Sequence, residues 1–183
     1  MSKKKNSEVK KYSKFDKAFY YMIIFLIGSF VGYIYEVIFY YIDENHFINR
    51  GFLYGPYLPV YGFGAIIMLL TIKRFKKNPL VIFILAMLLT GITEYVAGFL
   101  VYQVYHEMWW DYSELLLNIH GYVCLRSVLT FAIGALLLFY LIDPFVENKI
   151  IAIKDKNKKI IFGLLALIFV IDIVFTMLYR HPL

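Results

Sequence analysis

Apolar residues in this chain gather in long blocks separated by short polar stretches. The blocks cover residues 18–42, 56–72, 79–105, 121–142 and 160–179. Each is close to the ~20 residues that a helix needs to cross the ~30 Å hydrocarbon layer of a bilayer. The pattern predicts an all-α fold: a polytopic integral membrane protein, a helical bundle of about five transmembrane helices. The second helix has an irregular Gly/Pro-rich lead-in, and an interfacial segment joins the third to the fourth. Residues 1–17 read as a disordered basic cytoplasmic tail, 18–180 as a single membrane domain and 181–183 as a short outer tail. The first block is too long for a signal-peptide core and no small-residue cleavage site follows it, so it reads as an uncleaved helix. Asp143-Pro144 is expected to stop the fourth helix. No internal repeat is visible.

Charge orients these blocks. Seven lysines lie in 1–17, four basic residues (Lys73, Arg74, Lys76, Lys77) follow the second block, and five lie in 143–159, together sixteen of the 19. The positive-inside rule places that side in the cytoplasm, with the N-terminus inside, the C-terminus outside and the plasma membrane as location. The other side carries Asp43, Glu44, Glu107, Asp111 and Glu114. Composition agrees: 61% of residues are hydrophobic and the mean hydropathy is +0.67, above the ~45–50% apolar share of soluble domains. The net charge of +6 is then a topology signal that also suits anionic lipid head groups. Membrane lipids, and not nucleic acid, are the expected partners. A single cysteine, Cys124, rules out an intrachain disulfide.

Four ionisable residues stand inside the apolar blocks: Glu36, Glu94, Arg126 and Asp172. A charge at membrane depth costs several kcal/mol, so it has a partner, a water-filled cavity or a task. Glu36 follows Gly28 and Gly32 on one helix face, and Glu94 lies between Gly91 and Gly98. Small residues let helices approach closely, which turns both carboxylates towards the bundle interior. Arg126 is the basic residue available to meet Glu36 or Glu94 in the outer half, and pairing is favoured over snorkelling. With Asp172 these residues make a candidate polar cavity. Glu94 reads as a structural carboxylate paired to Arg126 or tyrosine hydroxyls, as a proton or cation ligand, or as a general base.

Two further stretches stand out. In 49–65, Gly51, Gly55, Gly62 and Gly64 weaken regular helix while Pro56 and Pro59 remove backbone donors. With Arg50, Tyr54, Tyr57 and Tyr61 this is either an aromatic belt with packing glycines or the rim of a ligand mouth. In 109–118, Trp109, Trp110, Asp111, Tyr112 and Asn118 mark an interface. There Asp111 to Ser113 would cap a short surface helix, with Leu115, Leu116 and Leu117 dipping into the membrane. No paired cysteines, metalloprotease motif, nucleophile elbow or phosphate-binding loop is present. His46, His106, His120 and His181 read as loop or interface residues. Oxygen ligation of Mg²⁺ or Ca²⁺ by Glu36, Glu94 and Asp172 stays open, while no metal site or cofactor is assigned. Whether the chain is an enzyme stays open too.

Arg50-Gly51-Phe52-Leu53-Tyr54-Gly55-Pro56, Pro59 with Tyr61-Gly62-Phe63-Gly64, Glu94-Tyr95, and Trp110-Asp111-Tyr112-Ser113 with Asn118, Gly121, Cys124 and Leu125 together resemble the CmpB-type membrane proteins. That family is labelled putative ABC transporter permease (type IV). The resemblance covers residues 18–142. It implies a permease-like transport component partnered with a separate ATPase subunit, and five spans imply a homo-oligomer or larger membrane complex. It also implies a Glu where Tyr102 stands and a basic residue where Tyr122 stands, so this chain replaces both. The alternative is an intramembrane enzyme or binding protein for a lipid-like substrate at the outer leaflet, with Arg50 or Arg126 on the head group and Glu94 as base or ligand. A third reading is a structural or regulatory partner of another membrane complex.

Overall fold

A computed structural model describes residues 13–46 and 51–179. The expected outer tail, most of the expected basic tail, Arg50 and His181 lie outside the described residues. The elements are α1 (Lys14–Glu44), α2 (Pro59–Ile72) with a 3-10 turn (Lys73–Phe75), α3 (Pro79–Tyr105), α4 (Leu125–Leu137), a π-helical segment (Leu138–Ile142), α5 (Asp143–Ala152) and α6 (Asp155–Tyr179).

Local chemistry sets these boundaries. Ser13 caps α1 with a capping box, its hydroxyl accepting from the Asp16 N–H at 3.0 Å, which starts the helix before the apolar block does. Asn78 caps α3 by accepting from the Leu80 and Val81 N–H groups, and Pro79 fits the first turn because its missing N–H is not needed there. The fourth helix departs from expectation. Asp143-Pro144 does not stop it: the chain continues through the π-helical segment into α5, and only 153–154 separate α5 from α6. The Asp143 N–H bonds back to the Leu138 carbonyl in the wider π pattern, and Pro144 falls in the first turn of α5, where a proline costs little. A second departure lies in 106–124. This stretch holds turns and an isolated bridge between Ile119 and Val123, not a surface helix.

Among the described residues four helical stretches are long and apolar enough to cross a membrane: Lys14–Ile42, Pro79–Tyr105, Leu125–Ile150 and Asp155–Tyr179. The chain is thus a helical protein of the multi-pass membrane type. The fifth block is different. With 14 residues, α2 is about 21 Å long at 1.5 Å per residue, short of a ~30 Å hydrocarbon layer.

Small residues bring α1 and α2 together. A Cβ at Gly28 would lie 3.1 Å from the Ala65 Cβ, and one at Gly62 would lie 2.5 Å from the Phe25 carbonyl oxygen. The core beside this crossing holds Phe19, Ile24, Met68, Ile82, Ala86, Ala132, Ala135, Phe139 and Ile150. Below it, the ends of the helices are tied by charge. Lys73 Nζ lies 2.7 Å from Asp143 Oδ1 and 2.8 Å from Glu147 Oε1, and the Tyr20 hydroxyl donates to Asp143. Lys158 Nζ meets Asp16 Oδ1 at 2.5 Å. Burial alone would lower the Lys73 pKa, but the hydrogen bonds and charges of Asp143 and Glu147 outweigh it and raise the value. This basic end gathers the start of α1, the α2–α3 connection and the α5–α6 region.

Candidate functional site

At the opposite end, α1, α2, α3, α4 and the Trp109–Tyr112 turn surround a cavity of about 370 Å³. Glu36, Glu94 and Arg126 line it together with Tyr35, Phe39, Tyr61, Trp110, Tyr112, Ser127 and Phe131. Three of the four charges that the sequence places in the apolar blocks therefore face one space.

Each side chain is held by a local feature. Gly32 has no Cβ, so the Tyr61 ring rests on α1 at that point, and its hydroxyl donates to Glu36 Oε1 at 2.5 Å. The same ring stacks on Phe131, with centroids 5.4 Å apart and planes 12° from parallel. Tyr35 OH and Thr130 Oγ1 lie 3.3 Å apart. Ser127 Oγ donates to Glu94 Oε2 at 2.6 Å. The Ser127 Oγ is also 2.9 Å from the Cys124 carbonyl oxygen, so one hydroxyl proton has two acceptors. The Arg126 guanidinium sits 4.0 Å from the centre of the Phe39 ring, a cation–π contact.

The 106–124 turns carry two aromatic residues to this cavity. Trp110 Nε1 donates to the Tyr122 carbonyl at 2.8 Å, and the Tyr112 N–H to the Gly121 carbonyl at 2.9 Å. Burial first, and the Glu94 carboxylate next, push the Tyr112 pKa above the ordinary tyrosine range, so the hydroxyl stays neutral. Asp111 and Asn118 brace the turns. Asp111 Oδ1 accepts from the Ser113 N–H at 2.8 Å and from its hydroxyl at 2.5 Å, and these bonds lower its pKa. Asn118 Nδ2 donates to the Ser113 and Leu115 carbonyls at 2.9 and 3.0 Å. Gly121 has φ +72°, and a Cβ there would lie 2.8 Å from Asp111 Oδ1, so only glycine fits without strain.

Asp172 is not part of this cavity. On α6 it accepts from the Tyr54 N–H at 3.0 Å, the Gly55 N–H at 2.9 Å and the Tyr57 hydroxyl. The Leu58 N–H donates to the Ser29 carbonyl at 2.9 Å on the other side. The irregular 51–58 segment thus lies between α1 and α6 with these donors satisfied, and Tyr54 belongs with Asp172 rather than with Glu36 and Glu94. Among the described residues no group of three or more His, Cys, Asp or Glu side chains converges, and Asp172 stands apart from the two glutamates it was grouped with as a metal ligand.

Sequence reasoning did not single out Ser127 and Thr130. The available signal was the C-x-x-S spacing, a capping box in which Ser127 sits three residues into α4. It also passed over the Lys73–Asp143–Tyr20 cluster. Tyr102 and Tyr122, which stand where the resemblance implies charged residues, are neighbours with ring centroids 6.5 Å apart.

The sequence model of a family described as putative ABC-transporter type IV, of the CmpB type, matches residues 23–177. No curated protein and no solved structure matches the chain.

Proposed function

The chain belongs to the putative ABC-transporter type IV family, and from that premise we propose that it is a permease-like transport component of the plasma membrane. Its substrate meets the protein in the Glu36–Glu94–Arg126 cavity. The cavity carries this reading: charged groups within the membrane domain line a space large enough for a small molecule, and such groups mark substrate paths. The chain contains no nucleotide-binding loop, so ATP-driven movement needs a separate ATPase subunit or a larger assembly.

In this reading the membrane is crossed five times. The 51–58 segment and α2 together make the second crossing, and Asp172 and Ser29 supply the cover that irregular backbone needs at that depth. The basic end faces the cytoplasm and the cavity opens outward.

Purification from native membranes in a mild detergent, with mass spectrometry of the bound proteins, tests the proposal. The expected result is a stoichiometric ATPase whose hydrolysis responds to substrate and loses that response in Glu94→Gln. An intact membrane complex without any ATPase would refute the partnership. The exposed Arg126 at the same cavity favours a second reading, a binder of lipid head groups, which a single enriched lipid in that preparation would support.

A further inference from the structure

We infer that the cavity and an apolar groove on another face of α3 bind one amphiphile, its polar head beside Glu94 and its acyl chain in the groove. The inference rests on the proposed transport reading for the claim that the cavity meets substrate, and it names the class of that substrate.

The groove has a volume of about 430 Å³. Met87, Leu88, Ile92 and Val96 line it from α3, and Leu117 and Val123 from the turns before α4. The lining is apolar apart from Tyr95 and Cys124. From Met87 to Val96 the helix rises ~14 Å at 1.5 Å per residue. That is close to half of the ~30 Å hydrocarbon layer, the depth of one leaflet. At the Val96 end the Tyr95 hydroxyl lies 3.0 Å from His120 Nδ1, a polar mark of the kind found where the hydrocarbon layer meets water.

The two spaces adjoin. Thr90, Glu94 and Ala97 turn one face of α3 to the cavity, while Leu88, Ile92 and Tyr95 turn another to the groove. Cys124 lines both. At that point one small buried side chain separates them.

Gly91 supports the same occupant. A Cβ at Gly98 would lie 2.9 Å from the Tyr122 ring, so close packing demands that glycine. A Cβ at Gly91 would lie 3.4 Å from Val128 Cγ1 and 4.0 Å from Val123 Cγ2, ordinary contact distances. The packing of α3 on α4 therefore tolerates a side chain at Gly91. What the glycine provides is room in the groove.

The head is placed by Glu94. Among the described residues Ser127 bonds its Oε2 and nothing bonds its Oε1, so one oxygen remains to accept from an O–H or N–H of the head. The groove suits a chain better than a helix of a second copy. A helix segment ~14 Å long and ~10 Å wide fills roughly 1,100 Å³, more than twice the space.

The probe is a monoacylglycerol with a diazirine in mid-chain, its two hydroxyls serving as donors. It is added to the full chain in a neutral maltoside detergent, illuminated, and its attachment mapped by mass spectrometry. Saturable labelling within 87–96 and 117–128 is expected, at one probe per chain. Gly91→Leu should weaken it about tenfold or more, because the added side chain takes the space of the acyl chain. The chain-matched dimethyl ether, which has no donor, should compete about tenfold less well than unlabelled monoacylglycerol, and Glu94→Ala should erase that difference. Thermal unfolding checks both variants. If Gly91→Leu does not fold, Ile92→Trp blocks the groove from a side chain that is already exposed. If Glu94→Ala does not fold, the ether comparison on the wild-type chain decides the place of the head.

Labelling that does not saturate, or that spreads equally over α6, would overturn the inference and make the groove ordinary lipid contact. Equal competition by the ether would remove the head from Glu94 and overturn it as well. A dimer that Gly91→Leu dissociates, with labelling unchanged, would give the groove to a second copy. None of these results decides whether an ATPase is bound, so the transport reading stands or falls separately.

Discussion

A carboxylate inside a membrane domain is tolerable only through the groups that face it, and Glu36, Glu94 and Asp172 are faced differently. Asp172 accepts two backbone N–H groups and a tyrosine hydroxyl, so its role is to complete the hydrogen bonding of a loop. Glu36 accepts from Tyr61, and Glu94 accepts from a serine whose proton has a second acceptor. Removing that serine hydroxyl should be felt through Glu94. Ser127→Ala is expected to destabilise the protein by about 1–3 kcal/mol, the cost of a buried polar group losing its partner. In the Glu94→Gln background the same substitution should cost clearly less, because a neutral amide is cheaper to leave unpartnered. Reversible unfolding in mixed micelles measures all four proteins of this cycle. Additive effects would mean that the Ser127 proton serves Cys124 instead. The carboxylates were legible in the sequence because a charge in an apolar run is conspicuous. Ser127 was not, because a neutral hydroxyl in such a run is common and its use depends on which helix packs opposite. For the same reason Asp172 was grouped with Glu36 and Glu94: depth along a helix can be read from sequence, but the direction it faces around the bundle cannot.

At the level of elements, the apolar blocks located the long helices, while local stop rules were less reliable. The Asp143-Pro144 pair fails as a stop because Lys73 and Tyr20 pay for the buried Asp143 carboxylate from outside the helix, and the π-helical segment re-phases the chain ahead of the proline. The surface helix expected at Asp111–Leu117 fails for the opposite reason. The Asp111 carboxylate closes on Ser113, two residues ahead, a turn-forming bond that competes with helix capping. The Gly/Pro-rich stretch is irregular over 51–58 but helical from Pro59, so Gly62 and Gly64 do not break α2, and what holds the irregular part, α6, is more than a hundred residues away. That dependence has a direct consequence. Asp172→Ala strips the acceptor from the Tyr54 and Gly55 N–H groups and from Tyr57, and each of these exposed to half-buried bonds is worth about 0.5–1.5 kcal/mol. The loss should stay local, because α6 otherwise packs lightly on the bundle. Hydrogen exchange should therefore rise in 51–58 and in the last turns of α6, with α1, α3 and α4 unchanged. Uniform protection in the variant would show that the loop is held by other contacts.

For the whole molecule, the short second helix decides the topology. Four crossings would return the C-terminus to the side of the N-terminus, whereas five put the ends on opposite sides. The contacts favour five. Gly32, midway along α1, carries the Tyr61 ring at the start of α2, while Lys73 at the far end of α2 reaches Tyr20 near the start of α1, with Nζ 3.3 Å from its hydroxyl. The chain therefore returns along α1 before α3 begins. The other connections agree: Tyr140 OH donates to the Lys76 carbonyl at 2.7 Å, and Lys158 pairs with Asp16, so the α2–α3 and α5–α6 regions meet the start of α1 at one end. In the proposed five-crossing arrangement the short helix completes this traverse because 51–58 extends it, with the Tyr54, Gly55 and Leu58 N–H groups bonded to Asp172 and Ser29 rather than to helical carbonyls. In the proposed topology a reporter fused after Leu183 is expected to read as outside, and a cysteine placed at Lys154 as cytoplasmic, as the positive-inside rule predicts for the basic end. Because Asp172 holds the loop that makes the second crossing in the proposed topology, the two measurements should be repeated in Asp172→Ala. A C-terminus still outside would mean that the crossing, once made, persists without its anchor. A mixed population would tie the topology of the whole chain to one carboxylate on α6. A wild-type reporter that reads cytoplasmic would remove the second crossing, and with it the outward-opening cavity.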